Sequence, residues 1–102
     1  MAKGTISEYP VTQENLQQAI KFPARTVKIT IKCLLSSSGN CNVGWGSPNG
    51  GNLLVPGESV TYFATDECGN AIDLSENQLY ITFDNTSGVG GKALISSILA
   101  KD

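Results

Sequence analysis

Histidine is absent from this 102-residue chain, and that one absence removes the commonest general base, proton shuttle and metal ligand together. A Ser-His-Asp or Cys-His nucleophile cannot be assembled without it. Two carboxylate pairs remain, Asp66 with Glu67 and Asp73 with Glu76. Both lie in turn-rich sequence, where acidic residues cap and solvate loops. No catalytic residue is therefore expected, and the chain reads as non-enzymatic.

The three cysteines, Cys33, Cys41 and Cys68, form no CxxC pair, although zinc sites normally show such tight spacing. Neither a metal nor another cofactor is expected. An odd count also argues against a complete disulfide framework. Cys33 falls on the apolar side of an alternating run and reads as a small buried hydrophobe. Cys41 and Cys68 flank strands in turn-rich surroundings, where a disulfide between them is conceivable. The segment "SGVGGKA", Ser87 to Ala93, looks like a phosphate-binding loop at a glance. Thr86 stands where such a loop needs its first glycine and Ala93 where it needs Ser or Thr, so a hairpin loop is the better reading. "NTS" at Asn85 matches a glycosylation sequon and reads as a turn. Trp45, Tyr62 and Tyr80 could together stack on apolar sugar faces, or could be a core tryptophan with two exposed tyrosines.

Charge excludes more than it suggests. The net charge is −2, the pI near 4.9, and the seven basic residues are scattered. There is no basic stripe to neutralise phosphates, and nucleic acid is not an expected partner. The weak cluster of Lys21, Arg25, Lys28 and Lys32 reads as a solvated strand face and its lead-in. Only 16% of residues are charged, against about 25% in an average soluble domain. Such a surface is either made of neutral polar residues or covered by a partner. The start "MAKGTISEYP" lacks the apolar segment of a secretory signal, so synthesis in the cytoplasm is expected. No run approaches the ~18 apolar residues that span a bilayer, so no membrane is expected either.

The elements follow from periodicity. Residues 1–25 read as an N-terminal arm. "VTQENLQQAIKF" could hold a short helix between Pro10 and Pro23, with Thr12 as N-cap and Glu14 in its first turn. So short a helix must pack on something, either a neighbour or its own domain. From Thr26 the period becomes two. In "TVKITIKCLL", Val27, Ile29, Ile31 and Cys33 share one side, as on a half-buried strand. A short strand is expected near Asn42 to Gly46. Pro56-Gly57 presets a type II turn between "NLLV" and "ESVTYFAT". "QLYITFD" alternates with Leu79, Ile81 and Phe83 inward, and "KALISSILA" closes the chain as a last strand. Strands at this spacing with almost no helix predict an all-β domain over residues 26–102, a small antiparallel β-sandwich or jelly-roll-like barrel.

Three stretches occur in a telling order: Val43-Gly44, then "LVPGES" from Leu54 to Ser59, then "LSENQLYI" from Leu74 to Ile81. This order resembles small β-sandwich virion proteins of tailed bacteriophages, with their "V.VG" strand, "L.PGES" turn and "LS.LYI" strand. The resemblance covers roughly three quarters of the chain and departs from the pattern in the three cysteines and in a longer loop between Tyr62 and Leu79. It implies a structural part of a particle: an auxiliary, or decoration, protein on the capsid exterior, or a head-fibre component. The implied partners are the major capsid protein and further copies of the chain, with a trimer favoured. The expected contact residues are Ile6, Tyr9, Leu16 and Ile20 on the arm, and Trp45, Pro48 and Asn49 on the loop from Trp45 to Gly51. A carbohydrate-binding module or tail adhesion component is the alternative.

Overall fold

The computed structural model describes residues 3–15, 20–46, 51–65, 68–76, 78–84 and 89–101. Among the described residues seven strands are present: β1 (Lys3–Thr12), β2 (Thr26–Cys33), β3 (Asn40–Trp45), β4 (Asn52–Leu54), β5 (Ser59–Phe63), β6 (Leu79–Asp84) and β7 (Lys92–Lys101). They form two antiparallel sheets, one in the order β1-β7-β2-β5 and the other β4-β3-β6. The chain is a small β-sandwich.

Alternation places the core between the sheets. The larger sheet turns Val11, Ile29, Ile31, Cys33, Ala93 and Ile95 inward, and the smaller sheet Cys41, Val43, Leu54, Leu79 and Ile81. Phe22 and Leu74, on connections, are also buried. Each fully buried Ile or Leu contributes about 1.5–3 kcal/mol by leaving water, and this facing set supplies the main drive to fold.

The N-terminal arm had two places to dock, and the structure puts it on its own domain. Lys3–Thr12 pairs with β7 along its whole length, from Lys3↔Lys101 to Thr12↔Lys92. Where a helix was expected after Thr12, only a single 3-10 turn, Gln13–Asn15, is seen; residues 16–19 lie outside the described residues. Glu14 does not serve a helix dipole. Its Oε1 accepts the Gly90 N–H at 2.7 Å, while Gln13 N donates to Gly91 O at 2.9 Å. The turn therefore ties β1 to the start of β7.

The inward set of β2 begins two residues later than alternation predicts. Thr26 pairs with Leu99 but Lys28 with Ile98, so Val27 is the extra residue of a β-bulge. Thr26 is buried, its Oγ1 donating to Pro23 O at 2.7 Å, and Val27 is turned out, 38% exposed. A local side-chain hydrogen bond outcompetes the periodic pattern here.

Pro56-Gly57 forms the expected type II turn. Gly57 has φ of 99° and Glu58 N donates to Val55 O at 2.9 Å. The Glu58 carboxylate also accepts from Val55 N at 2.9 Å, so this side chain clasps its own turn. The turn carries the chain from β4 in the smaller sheet to β5 in the larger. The loop before Lys92 likewise joins β6 to β7 across the sandwich, so the expected hairpin there is instead a sheet-to-sheet connection.

Candidate functional site

The outer face of the larger sheet is the most extensive surface whose side chains the strand register fixes. Cross-strand pairs set three rows across β1, β7, β2 and β5. The first is Ile6–Ile98–Lys28–Phe63, the second Glu8–Ser96–Thr30–Thr61 and the third Pro10–Leu94–Lys32–Ser59. These positions alternate with the buried Ile29, Ile31 and Ile95, so they point away from the core.

The rows differ in chemistry. The middle row satisfies itself: Ser96 Oγ donates to Glu8 Oε2 at 3.2 Å, and the Thr30 and Thr61 hydroxyls share a bond of 3.2 Å. The first row is mainly apolar and open. Ile6 is 68% exposed and Phe63 54%, with Lys28 Nζ 5.7 Å from the Phe63 ring centroid. Ile98 and Leu94 are half-buried, and Pro10 is exposed. Lys28, Lys32 and Glu8 are the only charges in the three rows. Exposed apolar side chains at the two margins of this face, Ile6 and Phe63, are available to bind another surface.

A second exposed apolar group gathers where β2 leaves its sheet. Leu35, Val55 and Val89 are exposed there, on three loops tied to the end of β2 and to one another. Gly57 N donates to Cys33 O at 2.7 Å, Cys33 N to Glu58 O at 2.9 Å, and Ser38 N to Gly90 O at 2.8 Å.

Among the described contact residues, Ile6 stands apart from Ile20 and Trp45, which both lie opposite Leu79. Ile6 is on the open row just described. Tyr9 occupies the β1 position opposite Ile95. Ile20 is half-buried and held by two backbone hydrogen bonds of 2.8 Å with Leu79. Trp45 also lies opposite Leu79, and its half-buried ring packs between Phe22 (centroids 6.3 Å apart) and Tyr62 (5.2 Å). Ile20 and Trp45 therefore close one end of the core. Leu16, Pro48 and Asn49 lie outside the described residues.

The three aromatics considered as a sugar platform separate. Trp45 and Tyr62 touch, and Asn52 Nδ2 donates to the Tyr62 hydroxyl at 3.2 Å. Tyr80 pairs with Gly44 on the other side of the smaller sheet and donates to Gln78 Oε1.

The remaining reactive groups are occupied locally. Asp73 accepts from Ser75 Oγ at 2.6 Å and Ser75 N at 2.9 Å, bonds that hold its carboxyl below the usual range. Asp66 and Glu67 lie outside the described residues. Cys33 and Cys41 are both fully buried, and Cys68 is exposed. Cys41 sits within β3 rather than beside it, and no disulfide joins it to Cys68. Burial, reinforced by the neighbouring Cys33 thiol, pushes the Cys41 thiol up to about 12. Among the described residues no three Cys, Asp or Glu side chains converge as a metal-binding set, and no helix is long and apolar enough to cross a membrane.

The fold defines a small two-sheet β-sandwich. Comparison with protein-family models, with curated proteins and with solved structures finds no match.

Proposed function

We propose that this chain is a non-enzymatic structural part of a tailed-bacteriophage particle, an auxiliary protein that binds the major capsid protein on the outside of the shell. The observation that carries the reading is the outer face of the larger sheet, where Ile6 and Phe63 stand exposed at the two ends of the row Ile6–Ile98–Lys28–Phe63. The order of "LVPGES" and "LSENQLYI" supplies the particle context. Binding on such a face works by burial. About 1,000 Å² of apolar surface per subunit, at about 25 cal/mol per Å², is a large gross term before association costs. Repetition over many copies would brace a shell against the pressure of packaged DNA. Self-association, as the trimer the resemblance implies, belongs to the same reading.

The test is co-sedimentation of purified protein with shells of the major capsid protein from the genome that encodes this chain. Wild-type protein is expected to sediment at fixed stoichiometry, and Phe63→Ser to bind at least tenfold more weakly with an unchanged melting temperature. Loss of fold in Phe63→Ser, or unchanged binding, would remove the face from the reading. A glycan-binding role has one observation on its side, the adjoining Trp45, Tyr62 and Asn52. A change in Trp45 fluorescence on a glycan panel would favour it.

A further inference from the structure

The free edge of β1 has a backbone pattern that is not uniform, and its parity can be derived. Gln13 N donates to Gly91 O, one step beyond the Thr12↔Lys92 pair. In an antiparallel ladder, hydrogen-bonded and non-hydrogen-bonded pairs alternate. Residues 5, 7, 9 and 11 therefore direct their N–H and C=O toward β7, whereas Gly4, Ile6, Glu8, Pro10 and Thr12 direct theirs outward. The other side of β7 agrees, because Leu34 N donates to Lys92 O and Ala100 N to Arg25 O. Pro10 thus stands where its missing N–H costs the sheet nothing, and it disarms that end of the edge. Gly4, Ile6 and Glu8 keep both donor and acceptor, and no described strand pairs with them.

We infer that this edge is a self-pairing surface, on which β1 of a second copy adds antiparallel to β1 about a two-fold axis at Ile6. Several two-fold registers can be drawn, and the side chains choose among them. Centring on Ser7 sets Gly4 against Pro10 and forfeits a donor. Centring on Glu8 opposes two like carboxylates. Centring on Ile6 sets Gly4 against the partner's Glu8 and Ile6 against the partner's Ile6, with Pro10 left beyond the three hydrogen-bonded pairs. Those pairs exchange about six backbone hydrogen bonds. The same register covers the most exposed side chain of the open row. Ile98 and Ile6 of one copy run into Ile6 and Ile98 of the partner subunit as one apolar row across an eight-stranded sheet. This pairing does not depend on the capsid reading and gives a dimer, not a trimer.

Sedimentation equilibrium on the whole chain tests it. Wild type is expected to approach twice the 10.7 kDa chain mass as concentration rises. Ile6→Pro removes one outward N–H and no bond to β7, so it is expected to stay folded by circular dichroism while losing self-association at least tenfold. Ile6→Asp and Ile6→Lys guard against a misfolded proline variant. Each alone is expected to be monomeric, and an equimolar mixture is expected to recover the dimer, because the two charges then meet across the axis. A wild type that stays monomeric, a folded Ile6→Pro that still dimerises, or a mixture that stays monomeric would overturn the pairing. A trimer indifferent to Ile6 would overturn it too, while leaving the shell-binding reading intact.

Discussion

Gly91→Ala tests the joint between the two sheets through one methyl group. Gly91 is buried just before β7 in the larger sheet, and Phe83 belongs to β6 in the smaller one. A Cβ on residue 91 would run into the Phe83 ring at Cγ and lie 2.8 Å from Phe83 Cβ. Rotating the ring away relieves the first clash and not the second, because Cβ is fixed by the β6 backbone. Residue 91 cannot retreat easily either. Its carbonyl accepts from Gln13 N at 2.9 Å and its N–H donates to Gln13 Oε1 at 3.2 Å. Overpacking of this kind costs about 1–3 kcal/mol. In a domain of this size that lowers the melting temperature by about 5–20 °C. Urea unfolding followed by Trp45 fluorescence gives the free energy. Phe83→Ala supplies the other side of a double-mutant cycle. It removes the ring that the new methyl would strike, so the double variant should be more stable than the sum of the singles by about 1 kcal/mol or more. Contacting residues couple, whereas independent ones add within about 0.5 kcal/mol. Additive effects, or a neutral Gly91→Ala, would refute the close packing of these two residues.

Two further expectations concern pH. Burial and the adjacent Cys33 raise the Cys41 thiol from 9.0 to about 12 in the folded state, so above pH 9 the unfolded chain loses this proton first. Stability should therefore be intact below pH 9 and fall by up to about 1.4 kcal/mol per pH unit toward pH 12. Urea midpoints of wild type and Cys41→Ala across that range check it, and the variant should lack this part of the slope. At the acid end, the Gly90 N–H, with help from Glu14's own backbone and Lys92, holds the Glu14 carboxyl below its ordinary value. Its contribution is present above that value and lost as pH falls through the folded one. Glu14→Gln should flatten the acid limb of a thermal-melt series, lying below wild type at pH 7 and converging with it at the acid end.

The legible parts of this fold were those where local pattern and tertiary demand agree. Ile29 and Ile31, and Leu79 and Ile81, alternate in sequence and are buried in the structure, and Pro56-Gly57 forms its turn because one residue fixes φ and the other tolerates a positive value. The misread parts were those where a non-local partner decides. "KGTISEYPVT" has no clean alternation and contains a proline, yet β7 supplies a full ladder and leaves Pro10 on the outward side. Val27 fits the inward pattern and is turned out because Thr26 bonds to Pro23. Cys41 looked like a turn flank, and its burial follows only once Leu54 and Phe83 are set on either side of it. The open row escaped notice for the same reason. Ile6, Lys28, Phe63 and Ile98 are far apart in the chain, and only the register of four strands puts them side by side. Within β5 itself, alternation sets Phe63 on the face opposite Val60 and Tyr62, and that is the one local trace of the row.

Whether this surface binds a shell is decided most directly by expressing the chain together with a major capsid protein from the genome that encodes it and separating assembled shells on a gradient. The chain is expected in the shell fraction at a fixed ratio to the capsid protein, and Phe63→Ser is expected to shift it to the top. A wild-type chain that stays entirely at the top of the gradient, while the shells sediment without it, would contradict the proposed role.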